Sequence, residues 1–229
     1  MGCGTGRATQ ALPVSNGNKS EAAMITVHHL GVSQSERVVW LMEELGLPYE
    51  LVWHRRTPDG GAPTSYLALH PAATAPIIKD GDLMLCESEA ILPYICHRHA
   101  GGRLTVAASA PNYPDYLYWM ALNNNLLGIF FAKRTSNESS PPVLMQILKR
   151  REDGYLRFAE QTLAQRPYLA GDEFTCADIM SFFFLRNPRT LGDRDLPYTR
   201  AYVERVNKRP AFVKADSIAG PAANPPPGA

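Results

Sequence analysis

The sequence is short of three features, and each absence excludes a class of protein. No apolar run approaches the roughly 18 residues that a membrane span needs, and the N-terminus has no apolar signal segment. Charge is nearly balanced, since 23 basic and 22 acidic residues leave a net charge of +1, so no strong field attracts nucleic acid or an anionic membrane. Only four cysteines occur, scattered along the chain, which argues against a zinc site or a disulfide scaffold. We expect a cytoplasmic protein without a metal that binds a small molecule.

The composition indicates a globular protein whose two terminal segments do not fold. Hydrophobic residues make up 45% of the 229 residues and charged residues 20%, which is ordinary for a folded domain. Residues 1–23 and 215–229 carry no periodic apolar pattern and are rich in small residues or proline. We predict that both are disordered tails.

Residues 24–100 alternate between strand and helix patterns. Short β-branched or apolar runs predict strands at "MITVHHL", at "YELVWHR" and on both sides of Asp80-Gly81, a hairpin signal. Helical periodicity follows the first strand, with a further turn around "PTSYLAL" and a last helix at "SEAILPYICHRH". The order β-α-β-α-β-β-α predicts a mixed four-stranded sheet with helices packed against it.

The second half of the chain carries only helical patterns. After a polar linker at residues 101–113, residues 114–214 contain four segments with apolar residues at 3.6-residue spacing. We therefore predict an α/β domain followed by an all-helical domain.

Ser33 and Ser35 lie in the turn between the first strand and the first helix. Glu36 follows Ser33 by three positions, so one interpretation is a capping box that only starts the helix. The other interpretation is functional, because ligands often meet such a turn and free helix amides there favour an anion. A serine hydroxyl that donates to a thiolate would lower the thiol's pKa. The residues alone leave both interpretations open.

Two further stretches could hold a ligand. Pro76 precedes a predicted strand, and a cis Ala75–Pro76 bond would turn the Ala75 backbone toward an extended peptide; the alternative is an ordinary trans turn. Glu87 and Ser88 lie at a strand-to-helix junction, where Ser88 is a natural N-cap. The same pair could bind the head group of an α-amino acid.

In order along the chain, four segments resemble hallmarks of the cytosolic glutathione transferases. They are "SQSERVVWLMEELGLPYE", "HPAATAPII", "GDLMLCESEAILPYI" and "YLAGDEFTCADIMSFFF". The resemblance covers residues 24–214 and implies a thioredoxin-like N-terminal domain, an all-helical C-terminal domain, glutathione as co-substrate and a homodimer. In the serine-type classes of that family, theta-like or related fungal and bacterial ones, the catalytic hydroxyl lies four residues before an arginine. That spacing selects Ser33, four before Arg37, with Ser35 as the alternative.

The resemblance also implies roles for other residues. It assigns a cis Pro76, pairs the Ala75 backbone with the cysteinyl backbone of glutathione, and gives the γ-glutamyl end to Glu87 and Ser88. It identifies Thr175 and Asp178 as a buried capping box. His54 and Arg56 are expected to meet the glycine carboxylate, with a solvated basic turn as the alternative. Tyr116, Asn123 and Asn124 are candidates for the acceptor pocket, although the stretch around them matches no substrate-site pattern of the family and a polar helix face is the favoured alternative.

Pro93 departs from what a regular helix after Ser88 would contain, and we expect a kink there.

The predicted function is transfer of glutathione to a small, mostly apolar electrophile. A glutathione-dependent isomerase, lyase or ether-cleaving enzyme is one alternative. A non-catalytic scaffold or interaction module of the same fold is another.

Overall fold

The computed structural model describes residues 24–137 and 140–223, without the side chains of Asn123 and Asn124. The predicted tail at residues 1–23 and positions 224–229 of the C-terminal tail lie outside these described residues. Among the helices of the described part, none combines the length and the apolar character needed to cross a membrane.

The N-terminal domain is the predicted four-stranded mixed sheet. Its elements are β1 Ile25–Leu30, α1 Glu36–Leu45, β2 Tyr49–His54, α2 Thr64–Leu67, β3 Ile77–Asp80, β4 Leu83–Cys86 and α3 Ser88–His99. The strand order is β2-β1-β3-β4. β1 pairs in parallel with β2, and β3 pairs antiparallel with both β1 and β4. α3 runs continuously through Pro93, which lies inside the helix.

The helical domain follows as predicted, with more helices than the four expected segments. They are α4 Tyr113–Thr135, α5 Pro142–Leu163, α6 Cys176–Leu185, α7 Pro188–Leu191, α8 Pro197–Asn207 and α9 Pro210–Ala219. Most begin with a proline in the first turn, where the missing N–H would have no helical partner anyway. The predicted tail at 215–229 is wrong for residues 215–219, which complete α9 and bury Ala215 and Ala219.

Helix α1 is the centre of the molecule. Its residues from Val38 to Met42 are at most 1% exposed, as expected for a helix that is packed on all sides. The Trp40 ring lies with its centroid 4.9 Å from that of Phe212 and 5.4 Å from that of Phe182. α1 therefore joins the sheet of the first domain to the core of the second.

The predicted cap at the start of α6 is confirmed. Thr175 Oγ1 accepts from the Ala177 N–H at 3.3 Å, and Asp178 Oδ2 accepts from the Thr175 N–H at 2.8 Å. Asp178 Oδ1 also accepts from the Leu169 N–H and the Tyr202 hydroxyl, both at 3.0 Å. Burial raises the pKa of this fully buried carboxyl to about 6. The box thus connects α6, α8 and the loop before α6.

Thr175→Ala should lower the free energy of unfolding by about 1 kcal/mol, because it removes one cap acceptor. Thr135→Ala is the matched control, since Thr135 is exposed at the end of α4 and should change stability by less than about 0.5 kcal/mol. Urea unfolding at neutral pH measures both. Equal effects of the two substitutions would contradict the structural role of this cap.

Candidate active site

The turn between β1 and α1 holds both candidate serines, with different exposure. Ser35 is fully buried, whereas Ser33 is half-buried. Their Oγ atoms lie 2.7 Å apart, and Ser33 Oγ also accepts from the Ser35 N–H at 3.2 Å. α1 begins only at Glu36, so the expected capping box of Ser33 with Glu36 is wrong. The Ser33 hydroxyl is left at the open end of the turn.

His29, the second-last residue of β1, contacts Ser35, and the sequence pattern gave no sign of this contact. Its Nδ1 is 2.8 Å from Ser35 Oγ, and its ring is completely buried against Trp53, with centroids 4.2 Å apart. Burial, with a smaller contribution from His54, lowers the pKa of His29 to about 4. The imidazole is therefore neutral at physiological pH.

Arg56 holds the same turn from the other side. Its guanidinium donates to the carbonyls of Gly31 at 2.6 Å, Val32 at 3.0 Å and Gly60 at 2.9 Å. Val32 is 63% exposed and has φ +51°, a left-handed conformation that is costly for a β-branched residue. Two of these hydrogen bonds, to Gly31 and Val32, stabilise the strained backbone immediately before Ser33, and the third ties the guanidinium to the loop after β2. Two of the five guanidinium N–H groups are not used in these three bonds.

The Ala75–Pro76 peptide bond is cis, as the resemblance implied. The paired residues of β3 begin at Ile77, so the backbone of Ala75 lies outside that ladder. An extended ligand could pair with it at this edge.

The start of α3 follows directly from β4. Ser88 is the first residue of the helix and Glu87 its cap, which corrects the expected cap at Ser88. Ser88 Oγ is buried without a hydrogen-bond partner among the described residues. Glu87 has φ +74°, and its carboxylate accepts from Thr74 Oγ1 at 2.9 Å. Each candidate site serine, Ser33 and Ser88, thus follows a residue in a left-handed conformation.

The remaining expected site residues are His54, Tyr116, Asn123 and Asn124. His54 Nε2 lies 3.1 Å from His28 Nδ1, and burial lowers the pKa of both rings. Tyr116 is 5% exposed and packs in the core, so the structure does not bring it to an open pocket. Asn123 and Asn124 lie on α4, and their side chains are outside the described residues.

A buried charge cluster lies behind the turn, at the junction of α1, α6 and α9. Glu36 and Arg37 are 7% and 2% exposed, and Arg186 pairs with Asp216 at 3.3 Å. Burial raises the pKa of Glu36 to about 7 against the opposing effect of Arg186. Burial also lowers the pKa of Arg37 to about 9. For both groups, the effect of desolvation on the pKa is therefore larger than the opposing effect of nearby opposite charges.

Comparisons with known proteins agree on one family. The glutathione S-transferase N-terminal domain model matches residues 28–103, and the C-terminal domain model matches residues 128–210. A solved glutathione S-transferase from Actinobacillus pleuropneumoniae is 32% identical with a TM-score of 0.79, over 86% of this chain and 93% of that one. Glutathione S-transferase 3 of Schizosaccharomyces pombe is 28% identical over 206 residues, 82% of this chain and 85% of the relative.

A glutathione-bound theta class enzyme from Xanthomonas axonopodis pv. citri shares the fold. Its TM-score is 0.66 at 24% identity, over 86% of this chain and 99% of that one.

Glu36→Gln should stabilise the protein more at pH 8 than at pH 5.5, by about 2 kcal/mol. The raised pKa of Glu36 means that the folded state binds more protons than the unfolded state between about pH 4.5 and 7. Stability of the wild type is therefore lost as the pH rises through this window, and the neutral glutamine removes that loss. Denaturant unfolding at the two pH values measures the difference.

Glu204→Gln is the control, since Glu204 is an exposed glutamate of α8. It should give the same small change at both pH values. A gain for Glu36→Gln that does not depend on pH would show that Glu36 is charged throughout.

Proposed function

The chain belongs to the glutathione S-transferase family, and on that premise we propose that it is a serine-type transferase whose Ser33 hydroxyl stabilises the glutathione thiolate. The observation that carries the assignment is the contrast between the two serines. Ser35 is fully buried and its hydroxyl contacts Ser33, His29 and the Leu30 carbonyl. Ser33 is half-buried at the open end of the same turn.

In this proposal the glutathione thiolate is stabilised by the Ser33 hydroxyl, a hydrogen-bond donor that is already oriented. A thiolate is the reactive nucleophile, and hydrogen bonds to it favour the charged form over the thiol. Ser33 Oγ accepts the Ser35 N–H, which makes its own O–H a better donor. The start of α1 adds the positive end of a helix dipole. Ser33 remains a hydroxyl throughout, and the thiol proton leaves to solvent. Sulfur then forms a bond to a carbon of a small, mostly apolar electrophile as a leaving group departs from that carbon with the electron pair of its bond, or as an activated double bond opens and its other end takes a proton from water.

Binding of the rest of glutathione is proposed for the cis-proline edge and the start of α3. The Ala75 backbone would pair with the cysteinyl unit, the Ser88 hydroxyl and N–H would hold the glutamyl carboxylate, and Glu87 would accept from its ammonium. The buried Ser88 Oγ, without a partner in the described part of the chain, supports this role, since such atoms are normally satisfied.

The glycine carboxylate is proposed to meet His54 and Arg56. Two guanidinium N–H groups of Arg56 are not used in its three carbonyl bonds, and they would face a ligand carboxylate on the site side of the turn. Arg56 would then hold both the turn and the ligand.

We also propose a cytoplasmic homodimer that binds neither nucleic acid nor membrane. The support is a set of exposed apolar side chains on α4 and α5, which a second copy of the chain would cover. These side chains are Leu117, Phe131, Val143, Leu144, Ile147 and Phe158.

Ser33→Ala should lower kcat/KM with a generic electrophile by about 10- to 100-fold at neutral pH, the value of one hydrogen bond to a charged group. The pKa of bound glutathione, read from thiolate absorbance, should rise by about one to two units. Ser33→Thr keeps the hydroxyl and should retain most activity. A loss below about threefold in Ser33→Ala would contradict the assignment of Ser33.

Ser88→Ala should raise the KM for glutathione about tenfold while kcat at saturation stays within about twofold, because the glutamyl end is remote from sulfur. Ser65→Ala, an exposed position on α2, is the matched control and should change neither constant. Steady-state kinetics with varied glutathione measures both. A fall in kcat with unchanged KM would argue against the glutamyl role.

A further inference from the structure

Three polar atoms form a continuous line from the buried sheet to the open turn. His29 Nδ1 is 2.8 Å from Ser35 Oγ, and Ser35 Oγ is 2.7 Å from Ser33 Oγ. Both inner groups are fully buried. Two short contacts between three groups require two bridging protons, so the direction of one hydrogen bond restricts the other.

The protons can be arranged in few ways. If His29 Nδ1 is unprotonated, it must accept the Ser35 hydroxyl proton, and Ser33 must then turn its own proton inward to Ser35. If Nδ1 carries the proton, it donates to Ser35 Oγ. The Ser35 hydroxyl can then donate to Ser33 Oγ at 2.7 Å in preference to the longer contact with the Leu30 carbonyl at 3.3 Å, and the Ser33 proton points out of the turn. Only with Nδ1 protonated can the Ser33 hydroxyl serve an acceptor outside the protein.

We propose that His29 is a positioning residue for the reaction: as its Nδ1–H tautomer it directs a hydrogen-bond chain through Ser35 that leaves the Ser33 proton free for the glutathione sulfur. The inference rests on the proposed function, in that Ser33 is taken as the thiolate donor. No covalent bond to oxygen forms or breaks, and no proton moves along the chain during attack. His29 itself does not touch the substrate.

The surroundings of His29 support this tautomer. The low pKa of the ring keeps it neutral, so only one nitrogen carries a proton. Nε2 is buried and has no hydrogen-bond partner in the described residues. A buried acceptor without a partner is tolerated better than a buried N–H without one, which favours placing the proton on Nδ1. Trp53 packs against the ring and holds its orientation.

A thiolate in the site would reinforce the same direction. Sulfur in its anionic form accepts hydrogen bonds and cannot donate, so it draws the Ser33 proton outward. Ser33 Oγ becomes a stronger donor when it accepts a hydrogen bond from Ser35. Ser35 Oγ becomes a stronger donor in the same way when it accepts from the His29 N–H. Binding of glutathione therefore selects the Nδ1–H state over the inward arrangement.

The first test compares His29→Leu with His29→Asn in the full-length protein. Leucine fills the space without a donor, whereas the asparagine amide can place an N–H near the position of Nδ1. We expect His29→Leu to lower kcat/KM at neutral pH about three- to tenfold, the range for one neutral hydrogen bond, and to raise the pKa of bound glutathione. KM for glutathione should stay within about twofold. His29→Asn should recover at least half of the wild-type kcat/KM.

Thermal unfolding of each variant distinguishes a variant that has lost its fold from one that has lost only the orientation of the Ser33 hydroxyl. If His29→Leu does not fold, the comparison of His29→Asn with His29→Gln takes its place. The glutamine amide extends toward the position of Nε2 and should fail to restore the thiol pKa. Equal thiol pKa values in all folded variants would overturn the proposal.

The second test places His29→Leu in a Ser33→Ala background. If His29 acts only through Ser33, it should have less than about twofold effect there, since the pair is coupled. A full effect of His29→Leu without Ser33 overturns the positioning role but leaves Ser33 in place. No effect of Ser33→Ala alone on the thiol pKa instead overturns the proposed function, so the two failures are distinguishable.

The third test reads the tautomer directly, without a substitution in the chain of bonds. Nitrogen-15 correlation spectra of the histidine rings, assigned with His29→Asn, report which nitrogen carries the proton. We expect a protonated Nδ1 when glutathione is bound. A protonated Nε2 in that complex would overturn the proposal.

Discussion

The buried Ser35 hydroxyl is the group on which the turn between β1 and α1 depends. One oxygen lies within hydrogen-bond distance of Ser33, His29 and the Leu30 carbonyl, and it supplies a single proton for three partners. The strand end, the turn and the start of α1 are therefore joined at one atom. The more buried serine is therefore fixed by three contacts, which is why the proposed function assigns the ligand to the more exposed one.

Around this atom, the turn is held in conformations that its own residues do not favour. Val32 and Glu87 both have positive φ, which costs of order 1–2 kcal/mol for a non-glycine residue. Arg56 offsets the first cost through the Gly31 and Val32 carbonyls, and Thr74 bonds the Glu87 carboxylate. Each strained residue directly precedes a serine, Ser33 or Ser88. Surrounding contacts thus stabilise the strained backbone immediately before both serines.

The sequence predicted the features that local pattern controls. The strand order along the chain and the position of Ser33 in the first βα turn follow from short-range spacing, whereas the Thr175–Asp178 box was implied by the resemblance to a known family. The Ser33 capping box failed because Ser35 and the distant His29 offer other partners, and nothing in "MITVHHL" distinguishes a ligand-side histidine from a core residue. The end of α9 was missed because alanines give a weak apolar pattern. Arg56 was expected at a ligand, and its carbonyl contacts depend on tertiary structure.

The position of α1 links this turn to the helical domain. Glu44 near the end of α1 forms a bidentate pair with Arg209 at 2.7 Å on both oxygens, and the same guanidinium lies 3.8 Å from the Phe174 ring centre. At the other end of the helix, Glu36 and Arg37 are buried against the helical domain near Arg186. Because both ends of α1 are fixed to the second domain, a shift of the helical domain must also shift the serine turn. One rigid element therefore positions the serine turn relative to the helical domain. Under the proposed function, substitutions in the core around Trp40 are expected to act both on the thiolate donor and on an acceptor pocket in the helical domain.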